Sequence, residues 1–258
     1  MTEPARPGAQ GPYPLAGRVA VVCGGSNGIG AATARRLASA GASVWIGYNA
    51  GADRAATLAA DLPGKGHRKL HMPLLDSEGL ANAAAEVGSM HGAVDVLVNS
   101  AAYTRAVPHW DLDTLDDALF DRVLTTNVRG VFATIRAFRR LLTTSGDAVV
   151  VNISSLSAQT GQGSSVAYCA SKAALDTMGM SLARALAPTI RVVTVSPAGV
   201  ATDFVPGRSR EQVATQAASA PLRIVTEPDD VALAVMAAVV NLRQTTGSII
   251  TVDAGRHL

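Results

Sequence analysis

Short runs of β-branched and aliphatic residues recur along the chain, and each is followed by a longer stretch whose apolar positions fall at helical spacing. The runs are RVAVVC (18–23), SVWIGY (43–48), HRKLHM (67–72), VDVLVN (94–99), DAVVVNIS (147–154), IRVVTVS (190–196) and GSIITVD (247–253). Runs this short and this apolar predict strands buried on both faces. Between them the pattern predicts helices over 28–41, 51–62, 77–90, 112–144, 168–187 and 228–240. Punctuation agrees: Gly41 and Ala42 directly follow a helix, Asp76 and Ser77 can cap the third, and Pro228 stands where a first turn tolerates proline. Strands alternating with helices predict βαβ units, and hence a doubly wound α/β architecture: a parallel sheet of about seven strands with helices on both faces. The 258 residues carry no repeat and no linker, so 17–258 reads as a single domain, with a substrate lid over about 203–223. The proline-rich residues 1–16 read as a flexible arm.

Composition narrows the function classes. The chain is 48% hydrophobic and 16% charged, which is globular, and its 24 glycines imply several tight turns or close backbone approaches. The net charge is +2, and Arg35-Arg36 and Arg139-Arg140 lie in separate helical segments, so no basic run points to nucleic acid. The longest aliphatic run, VALAVMAAVV (231–240), falls short of the roughly 20 apolar residues of a membrane span. The arm has no apolar core of a signal peptide, so a cytoplasmic location without membrane attachment is expected. The two cysteines, Cys23 and Cys169, read as small buried hydrophobes. The five histidines lack metal-site spacing, and no metal is assigned.

After the first predicted strand comes CGGSNGIG, with Gly24, Gly28 and Gly30 opening a helix. Glycines at such a turn let a pyrophosphate approach the helix N-terminus, where unpaired N–H groups and the helix dipole favour negative charge. The spacing differs from G-x-G-x-x-G, so the loop alone is equally a ligand-free turn; its place after the first strand makes the fold Rossmann-like and favours a dinucleotide. At the second strand's end, WIGYNAGADR (45–54) puts Tyr48 and Asn49 at the tip, where an acid would bind a ribose 2′-hydroxyl and repel a 2′-phosphate. No acid stands there, which favours NADP(H) over NAD(H), with Arg54 a candidate phosphate partner. Further on, YCASK (168–172) sets a phenol and an ammonium at i and i+4, on one helix face. By itself that pair is either a solvated surface pair or an acid/base device.

Together these segments resemble the short-chain dehydrogenase/reductase family in its single-domain form, like the 3-oxoacyl-(acyl-carrier-protein) reductases, from Gly17 to the C-terminus. CGGSNGIG is similar to the family's T-G-x-x-x-G-x-G, NSAA (99–102) to its N-N-A-G, YCASK to its Y-x-x-x-K, and SPAGVATD (196–203) to its P-G-x-V-x-T. Asn127 in TTNVRG and Ser155 in NISSLS match the family's active-site Asn and Ser; Ser155, not Ser154, has the family's distance to the Tyr. Pro73 stands where the family has an adenine-contacting Asp.

The resemblance implies a catalytic set of Asn127, Ser155, Tyr168 and Lys172. Lys172 would lower the pKa of Tyr168, which would exchange a proton with the substrate oxygen. Ser155 would hydrogen-bond that oxygen. Lys172 would also grip the nicotinamide ribose, and Asn127 would hold a water linking it to solvent. The implied cofactor contacts are Gly24, Ser26, Asn27, Gly28, Ile29, Gly30, Tyr48, Asn49, Asn99, Ala101, Tyr168, Lys172, Pro197, Val200 and Thr202. Substrate contacts are expected from the lid, Tyr103, Thr104 and 157–163. The implied activity is an oxidoreductase interconverting a small-molecule ketone and a secondary alcohol, in a homo-oligomer, tetramer or dimer. A dinucleotide-binding redox sensor and a same-fold epimerase or dehydratase are the alternatives.

Overall fold

The computed structural model describes residues 15–258. Seven parallel strands, β1 (Val19–Cys23), β2 (Ser43–Tyr48), β3 (Arg68–His71), β4 (Val96–Asn99), β5 (Ala148–Ile153), β6 (Ile190–Pro197) and β7 (Ile249–Val252), form one sheet in the order β3-β2-β1-β4-β5-β6-β7. Each strand but β7 is followed by helix on one face or the other. The helices are α1 (Gly28–Ser39), α2 (Ala52–Asp61), α3 (Ser77–His91), α4 (Asp117–Leu124), α5 (Val131–Ser145), α6 (Ser157–Thr160), α7 (Val166–Leu186), α8 (Arg210–Ala218) and α9 (Pro228–Met236).

The central strands β1, β4 and β5 are buried along their whole length because both of their faces are covered, whereas the edge strand β3 buries only Leu70. Along β1, Ala20 and Val22 join Leu37, Val44, Ile46 and Val235 in one core, while Val19, Val21 and Cys23 join Leu80, Val87, Phe138 and Leu142 in the other. That is the two-residue period of a strand read into two layers. Truncating a side chain as fully buried as Phe138 to Ala costs about 3–5 kcal/mol. Leu15, placed by the sequence pattern in the arm, is also fully buried in the first of these cores, so the fold takes in the chain at least from there. The rest of the predicted arm, 1–14, lies outside the described residues.

Several predicted boundaries shift. The helix expected over 112–144 begins at Asp117, where Asp116 accepts from Leu119 N, and its middle, Thr125–Gly130, is a π-helical turn. Asp76 caps α3, and Pro228 occupies the first turn of α9. The expected lid contains a helix, α8, capped by Ser209. Periodicity could not reveal it, since Val213 is its one buried side chain.

The strand order reverses between β1 and β4: the chain runs outward from β1 through β2 to β3, then crosses back to β4. Such a reversal leaves a crevice above the carboxyl ends of the central strands, where ligands bind in open α/β sheets.

Candidate active site

The crevice is a cleft of ≈ 690 Å³, well inside the range of about 300–1,000 Å³ for small-molecule sites. Its floor is laid by the residues that follow each strand: Gly24 after β1, Ser100 after β4, Ser154 and Ser155 after β5, and Pro197 at the end of β6.

At one end the glycine loop turns into α1. Gly24 has φ +75°, and a Cβ there would lie 2.6 Å from Ala101 N; a Cβ on Gly30 would lie 2.1 Å from the Gly24 carbonyl oxygen. These two glycines let strand, turn and helix close on each other, while Gly28 (φ +50°) faces Thr202 across the cleft. The loop residues Ser26, Asn27, Gly28 and Ile29 line the cleft, as do Tyr48, Asn49 and Arg54 at the tip of β2. Arg54 lies close to Ser26, since a Cβ on Gly51 would be 2.8 Å from an Arg54 Nη and 3.0 Å from Ser26 Oγ. Asp53 is exposed and lines no part of the cleft. A glycine cradle at a helix N-terminus, with a cation beyond it, suits a phosphorylated dinucleotide.

At the other end, α7 contributes Tyr168 and Lys172. Ser165 caps this helix at Tyr168 N (3.2 Å), which sets the register of its polar face. Ser155 comes from the end of β5, where its Oγ donates to Ser157 Oγ (3.1 Å) and accepts from Ser157 N (3.2 Å). Ser154 turns the other way and donates to the Lys172 carbonyl oxygen at 3.3 Å. Ser155, Tyr168 and Lys172 are all buried and all line the cleft, with Ala101, Pro197, Val200 and Thr202.

The electrostatics correct one expectation. The Tyr168 phenol is pushed up to about 12, because burial penalises the phenolate more than its neighbours favour it. The Ser155 hydroxyl and the Arg208 charge pull the other way. The net lowering expected from Lys172 does not prevail: its ammonium donates to the Ile153 carbonyl oxygen at 2.7 Å, and its Nζ is 5.7 Å from the Tyr168 ring centroid. Burial lowers Lys172 itself to about 8, against the opposing charge of Asp176. Asp176, one turn further along the same face and also buried, is raised by its own desolvation.

Three implied site residues do not line the cleft. Gly30 packs behind the loop. Asn99 is buried beneath it, donating from Nδ2 to Asn152 Oδ1 at 2.9 Å. Asn127, on the π-helical turn, accepts from Tyr103 N (2.7 Å) and donates to Tyr103 O and Ser171 Oγ (both 3.0 Å). Its amide pins the segment after β4.

Two expected substrate contacts are also redirected. The Tyr103 ring lies under the Arg122 guanidinium at 4.2 Å, and the buried Thr104 hydroxyl pairs with Ser164 Oγ at 2.6 Å. Pro73 is absent from the cleft wall, and the nearest acid in sequence, Asp76, is spent on capping α3. Gln162 and the lid's Gln216 stand in the wall where substrate contacts are expected, and two residues unmarked in the sequence, Ser164 and Arg256, complete it. Asp176 did carry a sequence signal, four residues beyond Lys172.

Both cysteines are buried and unbridged, and burial pushes Cys23 up to about 12. Among the described residues no group of three or more His, Cys, Asp or Glu could hold a metal, and no helix is long and apolar enough to cross a membrane.

A parallel Rossmann-like sheet with a glycine loop and a Tyr/Lys helix at one cleft defines a class of nicotinamide-dependent oxidoreductases. The chain belongs to the short-chain dehydrogenase/reductase family. A family model described as enoyl-(acyl carrier protein) reductase matches residues 24–257. The chain is 36% identical over 246 residues to a cis-4-hydroxycyclohexanecarboxylate dehydrogenase of Sinomonas cyclohexanicum, covering 93% of this chain and 97% of that protein. It is 33% identical over 246 residues to a 3-oxoacyl-(acyl-carrier-protein) reductase of Aquifex aeolicus, covering 93% and 98%. A solved short-chain dehydrogenase of Burkholderia cenocepacia J2315, in complex with NADP, superposes with a TM-score of 0.84 at 33% identity, covering 95% of this chain and 100% of that one. The chain is therefore similar throughout to dehydrogenases and reductases that act on CH–OH or carbonyl groups, and it is an NAD(P)-dependent oxidoreductase.

Proposed function

We propose that the protein interconverts a ketone and a secondary alcohol, with Tyr168 as the proton donor and acceptor and NADP(H) as the preferred cofactor. The observation that carries the reading is that Ser155, Tyr168 and Lys172, from two different elements, line one cleft with the glycine loop. A bound nicotinamide dinucleotide supplies or accepts the hydride at the carbonyl carbon.

The protein's own residues handle the oxygen. A phenol at about 12 is protonated throughout the neutral range, so Tyr168 stands ready to give its proton to a carbonyl oxygen as negative charge develops there. Ser155 donates a second hydrogen bond to the same oxygen from a fixed position. Lys172, carrying its charge below about pH 8, favours the phenolate that remains and supplies the replacement proton. In the alcohol-oxidising direction the phenol must first ionise, which burial opposes.

The preference for NADP(H) is supported by Arg54 beside Ser26 at the β2 tip, with no acid in the cleft wall there. A 2′-phosphate would gain charge-assisted hydrogen bonds from that guanidinium. Lid residues 203–223, through Phe204 and Val205, would cover the substrate, Phe204 lying 6.0 Å from Tyr168 between ring centroids. A homo-oligomer belongs to the same reading, and the exposed Trp110 and Leu112 offer it apolar surface to bury. The test is fluorescence titration with NADPH and NADH, followed by turnover of a ketone panel with the tighter binder. Tighter NADPH binding with turnover lost in Tyr168→Phe is expected; NADPH binding without turnover of any ketone would overturn the catalytic reading.

A further inference from the structure

Two cations in the cleft wall have no part in the chemistry above. Arg208 precedes α8 and Arg256 follows β7, far apart in sequence, yet both reach Gly199. A Cβ on Gly199 would lie 3.0 Å from Gln216 Oε1, 3.8 Å from Arg256 Nη1 and 3.9 Å from Arg208 Nη1. The missing side chain leaves a recess into which three polar groups converge.

The arginines are only partly satisfied. Arg208 donates from Nη2 to the Val200 carbonyl oxygen at 2.8 Å, while its Nε is buried without a hydrogen-bond partner among the described residues. Arg256 Nη1 donates to Gln216 Oε1 at 3.1 Å. Neither forms an ion pair with a carboxylate among the described residues. Asp203, the acid that shares the cleft wall, is exposed and bridges to neither. Two guanidiniums brought together in a half-buried recess repel one another, and each keeps N–H donors free for a planar oxyanion. The same Arg208 charge is felt by the Tyr168 phenol, so the recess adjoins the group that handles the substrate oxygen.

We infer that Arg208 and Arg256 form a carboxylate-binding subsite, so that the substrate of the oxidoreductase proposed above is an oxo acid or the corresponding hydroxy acid. Gln216 orients Arg256, and Val200 orients Arg208, toward a carboxylate seated over Gly199. The two arginines are specificity residues; the redox step remains that of the ketone.

The test uses the full chain with NADPH and a matched pair of ketones, 4-oxocyclohexanecarboxylate and its methyl ester. The acid is expected to be reduced with a kcat/KM roughly 30-fold or more above the ester's, the scale of a buried charge pair. Arg208→Gln and Arg256→Gln should each lower the acid-to-ester ratio by about tenfold or more, mainly through KM, and Arg256→Lys should restore part of it. A binding arm is independent of turnover: with NADPH bound, cyclohexanecarboxylate should raise the unfolding midpoint and cyclohexanecarboxamide should not, and the difference should vanish in either variant. If Arg208→Gln does not fold, Arg256→Gln, which removes a single hydrogen bond, carries the test. Turnover of both ketones with a ratio near one, or equal effects of the acid and the amide, would overturn the subsite while leaving the oxidoreductase reading intact. Variants that weaken NADPH binding and leave the acid-to-ester ratio unchanged would overturn it too, by assigning the arginines to the dinucleotide. Carboxylate binding that depends on the arginines, without turnover of any ketone, would uphold the subsite and overturn the ketone–alcohol reading instead.

Discussion

Lys172 Nζ donates to the carbonyl oxygen of Ile153 at 2.7 Å, tying the middle of α7 to the end of β5. The bond holds the ammonium in the cleft wall, 5.7 Å from the Tyr168 ring centroid. The Tyr168 phenol is governed chiefly by its burial.

Replacing Tyr168 by Phe removes the proton donor and leaves the ring. Turnover of a ketone should fall by about 10²–10⁴-fold, the usual worth of a positioned acid. NADPH should still bind, as fluorescence titration would report.

The pH profile of reduction follows from the two shifted groups. Lys172, lowered to about 8, is charged below that pH and neutral above it, so kcat/KM should be level in the neutral range and decline above about pH 8. Tyr168, raised to about 12, keeps its proton over the same range and adds no further break. Lys172→Arg, which stays charged, should remove the decline even where it lowers the plateau.

Stability should depend on the same lysine. Its folded pKa, about 8, is below the ordinary 10.5, so between these values the unfolded chain binds more protons and stability rises with pH. The full effect is on the order of 3 kcal/mol, from about 1.4 kcal/mol per pKa unit. Above about pH 9 the raised Cys23 and Cys169, and above about pH 10 the raised Tyr168, work in the opposite sense, so the clean window is about pH 8 to 9. Urea denaturation across that window should show a rise in wild type that Lys172→Met lacks.

Asn127→Ala would break the three hydrogen bonds that hold Tyr103 and Ser171. Leaving those groups buried and unpaired should cost about 2–3 kcal/mol. A drop in thermal midpoint larger than any change in the pH profile of reduction would mark its amide as a positioning group.

Arg54→Glu should reverse the cofactor preference by repelling a 2′-phosphate and offering an acceptor to a 2′-hydroxyl. The ratio of NADPH to NADH affinity, measured by titration, should fall by at least about tenfold, since it changes a guanidinium to a carboxylate beside Ser26.

Much of the architecture was legible in one dimension. Strands buried on both faces must be apolar along their whole length, and α1, α3 and α9 announce themselves by caps and prolines, so the alternation of elements and the parallel sheet could be read directly. Gly24 and Gly30 stand where backbone meets backbone, and Tyr168 and Lys172 share a face because a helix puts i and i+4 together. These are local rules, and the sequence alone settles them. Only the tertiary structure decided the rest. The direction of the Tyr168 shift depends on how deeply the phenol is buried, the partners of Asn127 on where the segment after β4 returns, and the meeting of Arg208 with Arg256 on two loops converging over Gly199. Desolvation and charge act through space between residues distant in the chain, and no spacing along it encodes them.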